Sequence, residues 1–340
     1  MHRVLIIGFG NVGRTLAVMM SENSARLNSM GLDFRVIGVF TRSRGSVSDE
    51  QGLDMQKLLD DVSSHGRFTE SLTSITPLEA CRELDYDVMV ELSPLNVKNK
   101  GEPAVSHISA ALARGKHVVT ANKGPVAFAY QKLARLALDN GCRFLFESTV
   151  MDGSPLFNLV SRCMRVNTIT GFTGILNSTT NYVLTRMETG LTMDEAVREA
   201  IEMGAAEADP SNDIDGWDAA AKTAVLSRVL LGANITPLEV RRSGIRDVTP
   251  QMVADAAARG KRLKLICRGQ IKDGLVEASV GVEEVDKDDA FTTLSFRDSG
   301  LCLESNLLSP HVIIHKKHKK TTVHDTAYGV LEDMTSVFVP

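Results

Sequence analysis

A run Val4-Leu5-Ile6-Ile7, then at once Gly8-Phe9-Gly10-Asn11-Val12-Gly13, then a helical pattern from Arg14 to Met20, constrains this chain more than any other feature. The apolar run reads as a buried strand. Strand, GxGxxG and helix in that order are the dinucleotide-binding fingerprint in the context it requires. Gly8 permits the tight turn, Gly10 lets a pyrophosphate approach the backbone, and Gly13 lets helix and strand pack closely. The helix N-terminus offers free N–H groups to phosphate. A lone GxGxxG is weak; its placement here makes Gly8, Phe9, Gly10, Asn11, Val12 and Gly13 the expected cofactor-binding residues.

A second strand is expected at Phe34–Phe40. NAD-binding proteins usually place Asp or Glu at its end, on the ribose 2′-hydroxyl. This chain has Thr41-Arg42-Ser43-Arg44 there. Two guanidiniums and no carboxylate favour the 2′-phosphate, so NADP is the expected cofactor and NAD the alternative. The bland reading of Arg42 and Arg44 is a solvated basic loop. Thr76-Pro77-Leu78-Glu79 is a capping box that opens a helix, followed by a strand at Asp87–Leu92. The turn Ser93-Pro94-Leu95-Asn96 then lies at the carboxyl end of a parallel strand, where open α/β sheets bind ligands. After a helix from Pro103 to Arg114, the strand His117–Thr120 ends in Ala121-Asn122-Lys123-Gly124-Pro125. Lys123 before Gly-Pro is ordinarily a solvated turn residue. Beside a nicotinamide it could donate or accept a proton.

With 340 residues, 43% of them apolar, the chain has core enough for two domains. Its net charge of −4 argues against nucleic acid or an anionic membrane as partner. The five cysteines, Cys81, Cys142, Cys163, Cys267 and Cys302, are odd in number and form no CxxC. They read as reduced thiols of a cytoplasmic protein. Val4–Ile7 is too short for a signal peptide or a membrane span. The expected fold class is α/β: a Rossmann-type domain over 1–146 plus 311–340, and an α+β domain for substrate binding and dimerisation over 147–310.

In the second part, strands are expected at Thr168–Leu176, Lys264–Gly269, Val276–Val280 and Phe291–Phe296, with Asp273-Gly274 as a hairpin turn. They suggest a largely antiparallel sheet with helices on one face. Thr192–Glu195 and Thr236–Glu239 are two more capping boxes. Between them lies the segment richest in chemistry. Glu207, Asp209, Asp213, Asp215 and Asp218 crowd into twelve residues, broken by Pro210 and Gly216. A helix then runs from near Gly216 to Leu231. Trp217, Ala221, Val225 and Val229 form one apolar line, and Asp218 and Lys222 share the neighbouring one. The bland reading is a surface ion pair worth about 0.3–0.5 kcal/mol. The broken acidic loop beside it points instead to a binding site.

The segments GFGNVGR, ELSPLN, GEPAVSHISAAL, GKHVVTANKGP, VMDGSP, GILNSTTNY and GAAEADPSNDIDGWDAAAK occur in this order. With them the chain resembles homoserine dehydrogenase in its short form, without a C-terminal regulatory domain, from Gly8 to about residue 300. The resemblance implies interconversion of L-homoserine and L-aspartate 4-semialdehyde with NAD(P)(H), in threonine and methionine biosynthesis, by a cytoplasmic homodimer. By motif, Lys123 and Lys222 correspond to the family's active-site lysines and Asp218 to an aspartate near the reacting centre. Glu207 corresponds to the glutamate on the substrate ammonium, and Asp213, Asn177 and Thr179 are further substrate contacts. Ser93, Asn122 and Lys123 would lie beside the nicotinamide and its ribose. Backbone carbonyls of Glu147, Val150, Asp152 and Ser154 would hold a structural sodium ion. There are two departures. Ser178 stands where the family commonly has Gly. Near the C-terminus, His315-Lys316-Lys317-His318-Lys319-Lys320 replaces a Gly-rich loop that returns to the cofactor. Lysine side chains would there take over from close backbone approach; the bland reading is a mobile basic loop that touches nothing. That departure keeps two other readings open: a related NADP-dependent dehydrogenase for another small hydroxy or amino acid, or a cofactor-binding sensor without turnover.

Overall fold

The computed structural model of the chain describes residues 1–316 and 322–339; Lys317, His318, Lys319 and Lys320 of the basic stretch lie outside them. Two compact units form. The first comprises residues up to Asn158 and the C-terminal helix, and the second begins at Leu159.

The first unit is built on six strands: β1 (His2–Ile7), β2 (Phe34–Phe40), β3 (Ser46–Ser48), β4 (Val88–Glu91), β5 (His117–Thr120) and β6 (Phe144–Leu145). Their order is β3-β2-β1-β4-β5-β6. All neighbours are parallel except β3, which runs antiparallel to β2. Strands buried on both faces need near-continuous apolar runs, which β1 and β4 have; Val4, Leu5 and Ile6 are fully buried, as are Val88, Met89 and Val90. The strand order reverses between β2 and β4, about β1. Ligands bind at such a switch point, outside the carboxyl ends of the strands. The helix Asn11–Glu22 starts there, and the capping box at Thr76 and Glu79 opens the helix Pro77–Glu83. The C-terminal helix, Thr322–Phe338, buries Ala327, Val330 and Met334 in the same core as Leu16 and Val4.

The units divide after Asn158, whereas the sequence reading put the boundary after Phe146. The reason is a buried carboxylate pair. The Glu147 carboxylate accepts from Phe157 N at 2.7 Å and from Asn158 N and Nδ2 at 2.8 and 2.6 Å. Glu147 N donates to Asp333 Oδ2 of the last helix at 2.8 Å. Residues 147–158 are thus tied to the first unit. Burial pushes Asp333 up to about 7, and the nearby Glu147 adds to the shift. An acid whose folded pKa lies above its unfolded value near 3.9 costs stability once ionised. The cost grows from about pH 4 to pH 7 and is complete above that window, at about 2–4 kcal/mol. Asp333→Asn keeps an acceptor for Glu147 N and removes the charge. It is expected to raise the melting temperature at pH 8 and leave it unchanged at pH 4. Melting curves at the two pH values check this; an equal shift at both would mean that charge burial is not the cause.

The second unit carries β7 (Ile169–Ile175), β8 (Arg241–Arg242), β9 (Lys261–Lys272), β10 (Leu275–Asp286), β11 (Ser299–Ser305) and β12 (His311–His315). Their order is β12-β11-β7-β9-β10-β8, antiparallel throughout except for the short β8–β10 pairing. Asp273 and Gly274 both have left-handed backbone (φ 50 and 78) and form the expected turn. Phe291–Phe296 is not a strand. Ala290–Thr293 is a 3-10 turn that buries Phe291 and Leu294, and the strand follows as β11. The box at Thr236 and Glu239 forms only by half: Thr236 N and Oγ1 donate to Glu239 Oε2 at 2.9 and 2.7 Å, but Glu239 N donates to the Thr236 carbonyl at 3.0 Å, and only a turn opens, because the chain enters β8 two residues later. Met193–Glu202 does form on its box. Among the described residues, no helix is long and apolar enough to cross a membrane.

Candidate active site

In the first unit the fingerprint glycines have three different jobs. Gly8 has φ +100, and a Cβ there would stand 2.7 Å from the Leu92 carbonyl carbon. A Cβ on Gly13 would meet Gly8 O at 2.7 Å, so that position is reserved for helix–turn packing. A Cβ on Gly10 would meet nothing within 4 Å. Gly10 is also the N-cap of Asn11–Glu22, and no side chain caps that helix end. Open space in front of uncapped N–H groups suits a pyrophosphate. The residues present therefore fit a dinucleotide.

After β2, Thr41 Oγ1 donates to Gly45 O at 2.7 Å and accepts from Arg44 N at 2.8 Å, closing a tight loop. Arg42 is exposed, and Arg44 is half-buried with its Nε unpartnered by protein. The loop thus presents guanidiniums and no acid where the adenosine ribose would lie.

At the carboxyl ends of β4 and β5 the structure shows a group that the sequence reading passed over. Glu91 closes β4 and is fully buried. It accepts from Ser93 Oγ, and from Ser93 N at 3.2 Å. Asn122 Nδ2 donates to Ser93 Oγ at 3.3 Å, while Asn122 Oδ1 accepts from Gly124 N at 2.9 Å. Burial pushes Glu91 up to about 7, against hydrogen bonds that favour the charged form. A glutamate inside an apolar strand run was the available signal. Lys123 is the first residue of the helix Lys123–Asp139, not a free turn residue, and Asn122 is its cap.

The second unit gathers Asn177, Thr179, Asp213, Asp218 and Lys222. Asn177 caps the helix Ser178–Met187. Its Oδ1 accepts from Thr180 N at 2.8 Å and Thr180 Oγ1 at 2.9 Å. That fixes the amide orientation and aims Nδ2 at Asp213 Oδ1 (2.6 Å) and Asp218 Oδ2 (2.9 Å). Lys222 Nζ lies 2.7 Å from Asp218 Oδ2 and donates to Leu176 O at 2.7 Å. Burial, then the Asp218 charge, raises the Asp213 pKa; Thr179 and Asn177 hydrogen bonds oppose this. The side chains of Lys222 and Asp218 are only 16% and 18% exposed, so this is not the solvated pair of the bland reading. The helix Trp217–Leu230 explains why: from Ala219 to Arg228 every residue but Lys222 is buried. Other acids face away. Asp215 pairs with Arg246 at 2.8 Å, and Asp209 accepts from Ser211 Oγ at 2.6 Å. Glu207 is exposed, two residues beyond Ala205, whose carbonyl accepts from Thr179 Oγ1 at 3.2 Å.

The four candidate sodium ligands lie in one turn, with Glu147 and Val150 buried and Asp152 and Ser154 half-buried. Glu147, Val150 and Thr149 are at most 3% exposed, and Met151 and Asp152 are left-handed (φ 59 and 54) although neither is glycine. Among the described residues, no cluster of three or more His, Cys, Asp or Glu forms a side-chain metal site.

Comparison with known proteins agrees with both halves. The family model for the NAD-binding domain of homoserine dehydrogenase matches residues 8–147, and the model for homoserine dehydrogenase itself matches 155–335. The chain is 39% identical over 275 residues to homoserine dehydrogenase of Methanocaldococcus jannaschii, covering 80% of this chain and 81% of that one. It is 33% identical over 341 residues to the NAD(+)-dependent homoserine dehydrogenase of Pseudomonas canavaninivorans, covering 99% and 96%. A hyperthermophilic archaeal homoserine dehydrogenase in complex with NADPH superposes with a TM-score of 0.83 at 28% identity, covering 99% and 98%. The chain belongs to the homoserine dehydrogenase family.

Proposed function

We propose that the chain interconverts L-homoserine and L-aspartate 4-semialdehyde, prefers NADP(H), and uses Lys222, Asp218 and Lys123 for the proton and charge. The observation that carries this reading is the half-buried Asn177–Asp213–Asp218–Lys222 cluster. When bound, the nicotinamide accepts or supplies the hydride. Oxidation must also remove the hydroxyl proton, and reduction must neutralise a developing alkoxide. Lys222 is the cation for that oxygen, held in place by Asp218 and the Leu176 carbonyl. Lys123, on the nicotinamide half of the first unit, is the second proton-bearing group. Asp213, Asn177 and Thr179 orient the substrate, and exposed Glu207 takes its ammonium. Gly8 to Gly13 hold the pyrophosphate, Arg42 and Arg44 the 2′-phosphate, and Ser93 and Asn122 the nicotinamide ribose.

Main-chain oxygens of Glu147, Val150, Asp152 and Ser154 are the donors that suit a hard monovalent cation, and the paired left-handed residues support a sodium ion there. A homodimer through the second unit's sheet is supported by Val312 and Ile314, which are 42% and 38% exposed on the edge strand β12.

The test is cofactor consumption with aspartate semialdehyde, set against a panel of other carbonyl acids. Turnover is expected with the semialdehyde. NADPH should bind ten- to a hundredfold tighter than NADH, the worth of one charge-assisted contact to the 2′-phosphate. Equal affinities would remove the role of the arginines. Binding without turnover on any carbonyl acid would make the chain a sensor.

A further inference from the structure

We propose that Glu91 is a positioning residue for the nicotinamide half of the cofactor, acting through Ser93 and Asn122. The inference rests on the dinucleotide reading of the first unit.

The hydrogen bonds leave little freedom of direction. When Glu91 is ionised its carboxylate only accepts, so the single hydroxyl hydrogen of Ser93 points at it. The Ser93 oxygen then has lone pairs only for others, and takes a hydrogen from Asn122 Nδ2. Asn122 cannot flip, because its Oδ1 is engaged by Gly124 N at 2.9 Å and its own N donates to Thr120 Oγ1 at 3.0 Å. Thr120 spends its hydroxyl hydrogen on the Glu91 carbonyl at 2.8 Å and approaches the carboxylate only at 3.5 Å. Ser93 is therefore the main partner of the buried carboxylate. One chain of bonds links the end of β4, the end of β5 and the first turn of the helix that begins with Lys123.

These ends belong to one half of the sheet. A doubly wound sheet holds one mononucleotide on each side of its switch point. The arginine loop after β2 marks the adenosine side, so β4 and β5 serve the nicotinamide side. Burying a carboxylate is costly. At this position the hydrogen bonds from Ser93 offset part of the cost, and the same bonds fix the orientation of Ser93 and Asn122. Of other titratable groups, the Cys81 thiol faces Glu91 from the helix Pro77–Glu83, and it is itself pushed up to about 12 by burial.

The test separates the two halves of the cofactor. Affinities of wild type, Glu91→Ala, Glu91→Gln and Ser93→Ala are measured by calorimetry for two probes. One is the oxidised dinucleotide that the wild type prefers; the other is its fragment without nicotinamide, ADP-ribose or the 2′-phosphate of ADP-ribose. Glu91→Ala and Ser93→Ala are expected to weaken the dinucleotide tenfold or more and the fragment less than twofold. Glu91→Gln, which keeps an acceptor for Ser93, should stay within about threefold of wild type for both. Equal weakening of both probes would make Glu91 a purely structural residue, and unchanged dinucleotide affinity would also overturn the inference. If Glu91→Ala does not fold, Glu91→Leu is measured in its place and decides, because it fills the buried position, removes the acceptor and leaves Ser93 itself unchanged. A wild type that binds neither probe would sink the cofactor reading, and the inference with it.

Discussion

Lys222→Ala and Lys123→Ala are each expected to lower turnover by about 10²–10⁴ while leaving the fold intact. For Lys222 the geometry is explicit. Its ammonium is 2.7 Å from Asp218 Oδ2 and 2.7 Å from the Leu176 carbonyl, on a helix otherwise buried from Ala219 to Arg228. Removing it leaves Asp218 with Asn177 as hydrogen-bond donor, beside the half-buried Asp213. The loss of a cation next to two carboxylates disfavours an alkoxide in the transition state, so kcat should fall more than KM rises. Asp218→Asn removes the orienting charge and should lower kcat with the fold kept. Glu207→Gln should instead act mainly on KM, because a counter-charge for the ammonium acts equally in ground and transition states. Steady-state kinetics in both directions decide between these patterns. Near-normal turnover in both lysine variants would remove the proposed chemistry.

How much of this was legible beforehand depended on whether the deciding interaction was local. The strands β2 and β5 were read to the residue, and β1 and β4 to within two, because a buried parallel strand leaves a continuous apolar run. The boxes at Thr76 and Thr192 opened helices as read, since a capping box is completed within four residues. The bland reading of Lys123 as a solvated turn residue rested on the Gly-Pro that follows, which resembles a break. In fact Pro125 sits in the first turn of a helix, where its missing N–H costs nothing. Phe291–Phe296 has strand composition, but Phe291 and Leu294 are needed in the core with Ile175 and Ile266, and a 3-10 turn brings both there. At the candidate site, the Asp218–Lys222 neighbourhood followed from helical spacing alone. Its burial did not, nor did the role of Asn177 as the fork between two carboxylates, because both depend on partners 36 and 41 residues away. Glu91 showed only as a glutamate in an apolar strand run; its role did not show, because that role lies in Ser93 and in Asn122, on another strand end.

The second large effect belongs to a glycine that nothing in the local sequence marks. Asp213 and Asp218 are joined by the short helix Ser211–Ile214, Asp215 and Gly216, the last in left-handed backbone with φ +79. The segment around Gly244 lies directly against this connection, with Ile245 N donating to Ile214 O at 2.8 Å. A Cβ on Gly244 would meet Ile214 O, and would stand 2.6 Å from Asp215 Cα and 2.7 Å from Asp215 C. All three are backbone atoms, so no side-chain rotation relieves the clash. Overpacking of this kind costs about 3 kcal/mol, which should lower the melting temperature of a unit this size by about 6–12 °C. The displaced backbone is the one that sets the distance between the two carboxylates and Asn177. Gly244→Ala should therefore also lose turnover in the protein that remains folded at 25 °C. A control is Gly232→Ala, whose Cβ would meet nothing within 4 Å and whose cost is confined to its φ of +68. If Gly244→Ala melts no lower than Gly232→Ala and turns over at the wild-type rate, then close backbone contact at Gly244 does not hold the carboxylate pair in place.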